Sequence, residues 1–104
     1  MTIRLDRVPT FQRSPTFERD LKALTKTQRE TFKSVVLTAF VPDLASRQFR
    51  PSLRVKRVQG TRGVWEMTWD HDGRATFEYG REQHPGEPHI IWRRVGTHDI
   101  FRDA

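Results

Sequence analysis

The chain has 104 residues and a net charge of +6, and 35% of its residues are hydrophobic. A chain of this length and composition can bury only a modest hydrophobic core, and we expect one domain over residues 1–104. An aromatic content of 11% argues against a disordered chain, and the absence of cysteine excludes disulfides and thiolate metal sites, as in a protein of the reducing cytoplasm. No apolar run reaches the length of a membrane span, and the first eleven residues lack the apolar segment of a signal peptide.

The N-terminal part of the sequence predicts a short strand followed by a helix. Residues 1–7 are polar and we expect them to be loose, whereas residues 8–13 predict a short strand. Ser14 followed by Pro15 predicts a helix start, because Ser is a good N-cap and proline is tolerated in the first turn. The apolar residues of this helix follow at helical spacing: Phe17, Leu21 and Leu24.

A second helix is predicted to begin at Thr25, where Gln28 stands three residues further on, as in a capping box. Its apolar face consists of Phe32, Val35, Val36, Ala39 and Phe40. We expect Pro42 to end or kink this helix, and residues 43–46 to resume it briefly. The two helices then form a hairpin with one apolar face.

The whole excess of positive charge falls in residues 47–62, which we call the basic segment. This segment contains no acidic residue, and the rest of the chain is balanced, with thirteen basic and thirteen acidic residues. Its cations are Arg47, Arg50, Arg54, Lys56, Arg57 and Arg62. Such a cluster suits RNA, DNA or an acidic protein partner, but it is equally consistent with a solvated basic loop. The sequence leaves open whether residues 53–58 form a strand or an extended arm.

The last forty residues predict three antiparallel strands. Residues 64–70 and 74–80 alternate between apolar and polar side chains and are separated by a turn at residues 71–73, which predicts a β-hairpin. The apolar side of this hairpin carries Trp65, Met67, Trp69, Ala75, Phe77 and Tyr79. Residues 89–95 predict a central third strand, because their apolar residues are consecutive. The predicted fold is α+β, with a strand, a helical hairpin and a three-stranded antiparallel sheet whose helices cover one face.

The polar side of the predicted sheet collects residues suited to phosphodiester chemistry. Glu66, Asp70 and Arg74 lie on it, and His98 follows the last strand, where Gly96 lets the chain turn out of the sheet. Cleavage needs a base, an acid and cations that stabilise an extra-charged phosphate. RNA supplies its own nucleophile, the 2′-OH, so no metal or other cofactor is required. Each residue also has a structural explanation, as a solvent-facing carboxylate, a cross-strand ion pair or a turn-capping histidine.

Two further histidines, His84 and His89, stand five residues apart around a Pro-Gly pair. This spacing is a weak indication of a metal site. Two exposed histidines in a loop explain it better, and we predict no metal ligands in this chain.

Two stretches of the sequence, "GVWEMTWDHDGRATFEY" (residues 63–79) and "IIWRRVGTHDIF" (residues 90–101), resemble the RelE/ParE superfamily of toxins from type II toxin–antitoxin modules. The RelE/YafQ-like mRNA interferases are the most similar branch, because YafQ-like members end in a similar Gly-Thr-His after the last strand. The resemblance runs from about Phe11 to Phe101. It implies a bacterial endoribonuclease that inhibits translation by cutting mRNA, mostly at the ribosome, and that a cognate antitoxin neutralises.

The resemblance also implies roles for individual residues. His98 matches the residue that acts as general acid in members with a histidine there, and Arg74 matches the arginine that steadies the scissile phosphate. Phe101 falls near the C-terminal aromatic residue that stacks on a base. Glu66, however, stands where relatives carry Lys, Arg or His, so the general base is left open. Its candidates are Glu66, Asp70 and Lys56.

In the reaction that the resemblance implies, the 2′-oxygen attacks the adjacent phosphorus and His98 protonates the departing 5′-oxygen. The products are a 2′,3′-cyclic phosphate and a 5′-OH. RNA contacts are expected from Arg50, Arg54, Arg57, Arg62, Arg93, Phe101 and Arg102. Two alternatives are a ParE-like toxin that binds a DNA-processing enzyme without cutting RNA, against which His98 argues, and an inactive RelE-fold module that binds nucleic acid or a partner.

Overall fold

The computed structural model describes residues 9–103, so the expectations for residues 1–7 and for Val8 lie outside the described residues. The helices are α1 (Pro15–Ala23), α2 (Lys26–Val35) and α3 (Val41–Ser46). The strands are β1 (Thr10–Arg13), β2 (Lys56–Arg57), β3 (Val64–Thr68), β4 (Gly73–Tyr79) and β5 (His89–Thr97). Three shorter helical stretches are a π-helical turn (Val36–Phe40), a 3₁₀ turn (Pro51–Leu53) and a C-terminal 3₁₀ helix (His98–Asp103). Across the described residues, no helix has both the length and the apolar character to cross a membrane.

The strands form a five-stranded sheet in the order β1-β5-β4-β3-β2. β1 pairs in parallel with β5, and the other three pairs are antiparallel. The α+β class is confirmed and β5 lies inside the sheet, but the prediction of a three-stranded sheet is wrong. Each edge carries one more short strand, β1 with four residues and β2 with two. β1 confirms the short strand predicted within residues 8–13, although its place in the sheet was not predicted. Of residues 53–58, for which a strand or an extended arm was left open, only Lys56 and Arg57 form a strand.

Both predicted helix starts are confirmed. The hydroxyl of Ser14 accepts a hydrogen bond from the backbone N–H of Phe17 at 3.1 Å. Thr25 and Gln28 form the reciprocal capping box, with distances of 2.8 and 3.1 Å. The chain does not end its helical path at Pro42, because the π-helical turn leads directly into α3. Pro42 lies in the first turn of α3, where its missing N–H removes no hydrogen bond of that helix.

The core lies between the helices and one face of the sheet, with Trp92 of β5 at its centre. The ring centroid of Trp92 lies 5.5, 5.2 and 5.8 Å from those of Phe32, Phe40 and Phe77. The predicted apolar side of the hairpin is confirmed by the burial of Met67, Trp69, Ala75 and Phe77. Towards the β2 edge the cover is thinner: Trp65 is only partly buried and Tyr79 is 47% exposed.

The end of β5 differs from the prediction. β5 continues to Thr97, and Gly96 pairs with Arg74 inside the sheet instead of turning the chain out of it. A Cβ atom on Gly96 would lie 2.8 Å from Cγ2 of Ile100. The glycine is therefore needed for close approach: it leaves the space in which Ile100 of the C-terminal 3₁₀ helix packs onto the sheet. The chain leaves the sheet only at His98.

Candidate active site

A cleft of about 360 Å³ opens beside β2 and β3. It lies on the sheet face that carries Glu66, which is the face opposite the helices. We call it the Glu66–His98 cleft. Its lining residues are Lys56, Arg57, Val58, Gln59, Glu66, His98 and Phe101. Five of these seven were predicted as site residues from the sequence, and they come from three separate segments of the chain. The fold thus brings a carboxylate, two cations, an imidazole and an aromatic ring to one place.

The pairing of β2 with β3 positions the charged residues of the cleft. Lys56 and Glu66 are direct partners across the two strands, and Nζ of Lys56 lies 3.4 Å from Oε1 of Glu66. The side chain of Glu66 is 14% exposed, whereas that of Lys56 is 71% exposed. The carboxylate is therefore held in the wall of the cleft, and the ammonium group reaches out into solvent.

The C-terminal 3₁₀ helix positions His98 and Phe101. Side chains three residues apart on a 3₁₀ helix lie on the same side, and the two ring centroids are 5.2 Å apart in an edge-to-face arrangement. Ile100 lies between them in sequence and points the other way, into the sheet against Gly96. This buried contact fixes the helix, so the exposed imidazole of His98 is presented from an anchored turn.

Arg74 and Asp70 do not line the cleft. Nη1 of Arg74 donates to the carbonyl oxygens of Asp70, His71 and Gly73, at 3.4, 3.3 and 2.9 Å. Asp70 lies in the exposed turn between β3 and β4, and its carbonyl also accepts the N–H of Gly73. The structure thus uses this arginine to hold the hairpin turn together.

Arg50 is also engaged away from the cleft. Its backbone N–H and its Nε donate to Oδ2 of Asp43, each at 2.8 Å, and its Nη2 donates to Oδ1 at 2.9 Å. The side-chain and then the backbone hydrogen bonds from Arg50 hold the pKa of Asp43 below its ordinary value of 3.8, against the opposing effect of burial. This ion pair fastens the first turn of α3 to the loop that follows the helix.

The other predicted RNA-binding residues are dispersed. Arg54 is exposed in a left-handed conformation with φ of 46°, and Arg62 is exposed in the turn between β2 and β3. Arg93 lies on β5 and forms an ion pair with Glu78 at 2.9 Å. The side chain of Arg102 lies outside the described part of the chain. Among the predicted RNA-binding residues whose side chains the structure describes, Arg57 and Phe101 line the Glu66–His98 cleft.

The two loop histidines differ from each other, contrary to the expectation that both are exposed. His84 is exposed, whereas His89 is 7% exposed on β5. Nδ1 of His89 lies 2.7 Å from the hydroxyl of Thr10, and Nε2 lies 3.3 Å from Oε1 of Gln12. The ring of His89 therefore ties β5 to β1. Within residues 9–103, no three His, Asp or Glu side chains are grouped in a way that could hold a metal ion.

Sequence reasoning missed two kinds of residue. Val58 and Gln59 line the cleft but belong to no motif, since they follow a strand of only two residues. Asp20 of α1 binds Nε of Arg94 at 2.6 Å and the backbone N–H of Val95 at 3.2 Å, along the part of β5 that extends beyond β1. Nothing in the spacing of an aspartate on a helix and an arginine 74 residues later identifies such a pair.

The chemistry available in the Glu66–His98 cleft is proton transfer next to positive charge. A carboxylate accepts a proton and an imidazolium donates one, which are the two roles of general acid–base catalysis. Lys56 and Arg57 supply cations at the same place, and such groups stabilise a phosphate that gains charge in a transition state.

Solved structures with the same fold include toxins of toxin–antitoxin modules. YafQ in the DinJ–YafQ toxin–antitoxin complex of E. coli shares 14% identity, with a TM-score of 0.64 and coverage of 88% of this chain and 94% of that one. RelE in the RelB–RelE antitoxin–toxin complex of Methanococcus jannaschii shares 20% identity, with a TM-score of 0.59 and coverage of 88% and 95%. The YoeB/ParE toxin of Agrobacterium tumefaciens shares 10% identity, with a TM-score of 0.63 and coverage of 86% and 98%.

The likeness is therefore one of structure at low sequence identity. A scan against protein-family models found no match, and a search of curated proteins found none either. The structural matches extend over almost the whole of each toxin, so the strand, helical hairpin and sheet correspond as a unit. The chain has the fold of the RelE/ParE superfamily of toxins.

Proposed function

We propose that this protein is the toxin of a type II toxin–antitoxin module and a metal-independent endoribonuclease that cuts mRNA in the cytoplasm, at the ribosome. The observation that carries the proposal is the meeting of Glu66 and His98 in one cleft, with Lys56 paired to the carboxylate and Phe101 against the imidazole. A proton acceptor, a proton donor and cations are what cleavage of RNA by its own 2′-OH requires.

Glu66 is the general base in this proposal. Asp70 lies in an exposed turn and does not line the cleft, and Lys56 is engaged as the cationic partner of Glu66. The proton of the 2′-OH passes to the carboxylate of Glu66, and the 2′-oxygen forms a bond to the adjacent phosphorus. As the bond from phosphorus to the 5′-oxygen breaks, His98 gives its proton to that oxygen. The products are a 2′,3′-cyclic phosphate and a 5′-OH.

Lys56 and Arg57 carry the phosphate contacts. Both line the cleft and both are exposed, so a phosphate group reaches them without displacing a buried ion pair. Arg74 would have to release the carbonyl groups of its turn to bind a phosphate, and we therefore assign it a structural role. Phe101 offers a ring for stacking on a base beside the scissile bond.

The cognate antitoxin is the second partner in this proposal. Two of the structural neighbours described above are toxins bound to their antitoxins, and the net charge of +6 suits an acidic partner as well as RNA. Binding of an antitoxin over the Glu66–His98 cleft would prevent mRNA from reaching it.

The test is cleavage of an mRNA during translation by purified protein, with the 5′ and 3′ ends of the fragments identified. His98→Gln and Glu66→Gln are each expected to lower the cleavage rate about a hundredfold or more while the circular dichroism spectrum is unchanged. His84→Gln is the matched control, because this histidine is exposed in a loop outside the cleft. Full cleavage by a folded His98→Gln variant would contradict the proposal.

A further inference from the structure

The ring of His98 is placed by the backbone that carries it. No described residue hydrogen-bonds to its imidazole, which meets the ring of Phe101 edge to face. The imidazole of His89, by contrast, has a partner in β1 for each of its two nitrogens. The position of His98 in the Glu66–His98 cleft therefore depends on how the C-terminal 3₁₀ helix is attached to the sheet.

Ile100 makes that attachment. Its side chain is buried, at 7% exposed, whereas His98 and Asp99 before it are exposed. The backbone N–H of Asp99 donates to the hydroxyl of Thr97 at 3.3 Å, which holds the first turn of the helix to the end of β5. The helix thus rests on the sheet through one apolar side chain.

Gly96 is the place on the sheet where this side chain rests. Gly96 lies inside the sheet, paired with Arg74, and its φ is not in the left-handed region, so its backbone conformation is open to other residues. The glycine is required only because it has no side chain: a Cβ atom there would lie 2.8 Å from Cγ2 of Ile100. Carbon atoms pack at about 3.5–4.0 Å, so a methyl group at this position must displace Ile100 by about 1 Å.

We propose that Gly96 and Ile100 are a positioning pair for His98, in which the bare backbone of one and the β-branch of the other set how far the imidazole enters the cleft. The inference rests on the proposed function, in which His98 protonates the departing 5′-oxygen. A general acid must lie within hydrogen-bonding distance of that atom, and a misplacement of about 1 Å can lower the rate about a hundredfold. Neither Gly96 nor Ile100 lines the cleft, so the pair acts on the chemical step and not on RNA binding.

The first test measures kcat and KM for cleavage of a short mRNA bound to ribosomes. Gly96→Ala should lower kcat by about ten- to a hundredfold and leave KM unchanged. Gly80→Ala is the matched control, because a Cβ atom on Gly80 would lie 2.7 Å from Cδ2 of His89, an equally tight contact outside the cleft. The control should lose stability and keep its kcat. An equal loss of kcat in both variants would overturn the positioning pair.

The second test restores the fit with a double variant. Leucine has the same number of carbon atoms as isoleucine but branches one carbon further from the backbone, so Ile100→Leu vacates the position of Cγ2. Gly96→Ala combined with Ile100→Leu should therefore recover most of the kcat that Gly96→Ala loses. Ile100→Leu alone leaves a gap over Gly96 and should lower kcat by less than Gly96→Ala does. Losses that simply multiply in the double variant would overturn the pair.

A third measurement does not depend on cleavage. In NMR spectra of the full chain, the ring signals of His98 and Phe101 should shift in Gly96→Ala and return towards the parent positions in the double variant. Unmoved ring signals in a folded Gly96→Ala variant would overturn the pair. If that variant does not fold, Ile100→Ala removes the same contact without a clash, and parent-like kcat and ring signals in it would overturn the pair as well.

The same spectra separate this inference from the proposed function. Ring signals that respond as expected in a protein that cuts no RNA would remove the proposed endoribonuclease and leave the positioning of His98 by Gly96 and Ile100 standing.

Discussion

The helix-covered face and the open face of the sheet differ in what their side chains contact. On the covered face, Trp92 is enclosed by aromatic rings and is 4% exposed. On the open face, the groups around the Glu66–His98 cleft are held by one ion pair, one ring contact and one anchored turn. The covered face therefore carries most of the stability of the fold, and the exposed side chains of the open face can change with little effect on folding. Substitutions on the two faces should separate into losses of stability and losses of binding.

The largest effect is expected on the covered face, from Trp92→Ala. Removal of this ring leaves a cavity among Phe32, Phe40 and Phe77, and such truncations cost about 3–5 kcal/mol. Urea denaturation measures the free energy of unfolding. His98→Gln, on the open face, should change it by less than about 0.5 kcal/mol. If both variants lost the same free energy of unfolding, the open face would contribute to stability as much as the covered face does.

A smaller loss is expected for Trp65→Ala, where the covered face thins out towards the β2 edge. Trp65 is only partly buried and meets Tyr79 edge to face at a centroid distance of 6.3 Å. We expect about 1–2 kcal/mol, below the range for a fully enclosed aromatic residue. The same denaturation experiment checks this, and a loss as large as that of Trp92→Ala would mean that the sheet edge is as tightly packed as its centre.

Asp43→Asn should lower stability by less again, and in a manner that depends on pH. The pKa of Asp43 is held below 3.8 by Arg50, so its contribution is complete above that pH and disappears as the pH falls through the lowered pKa. The thermal midpoints of parent and variant should therefore differ most near neutral pH and converge in acid. A difference that stays constant from pH 7 to pH 3 would show that the hydrogen bonds, and not the charge of Asp43, hold this turn.

The smallest change in stability, with a clear change in binding, is expected from replacing Lys56 and Arg57 together by Gln. The slope of log affinity for single-stranded RNA against log salt should fall by about 1.4, or about 0.7 for each lost phosphate contact. Lys22→Gln with Lys26→Gln is the matched control, because these exposed lysines lie at the ends of α1 and α2. An unchanged slope would mean that β2 is a solvated edge or is used on an acidic antitoxin.

Local patterns predicted the parts of the fold that depend on neighbouring residues. The capping box of Thr25 with Gln28 and the burial of Met67 and Trp69 follow from spacing alone, and both are observed. β1 was predicted as a short strand and β2 was left open, but their pairing was not predicted, because it joins distant residues: Thr10 pairs with His89, and Lys56 pairs with Glu66. Gly96 was misread because a glycine needed for close packing is not distinguished in the sequence from a glycine needed for a turn.

The sequence predicted several residues that line the candidate site, but it also assigned to the site residues that lie elsewhere. Glu66, His98 and Lys56 were named from the sequence and line one cleft, while their catalytic roles remain predictions. Arg50 and Arg74 were named on the same grounds and are engaged elsewhere, by Asp43 and by turn carbonyls. A guanidinium reaches several ångströms from its backbone, so its position in sequence says little about which partner it finds.

The parallel pairing of β1 with β5 also has a consequence for the time at which the protein becomes folded. The hydroxyl of Thr10 binds His89, 79 residues further along the chain, so the first strand has no partner until the last one has been made. At 5–20 residues per second, a ribosome needs about 4–16 s to synthesise the intervening chain. The cleft depends equally on His98 and Phe101, which emerge later still. A growing chain therefore carries neither the complete five-stranded sheet nor an assembled cleft until residues 89–101 have been synthesised.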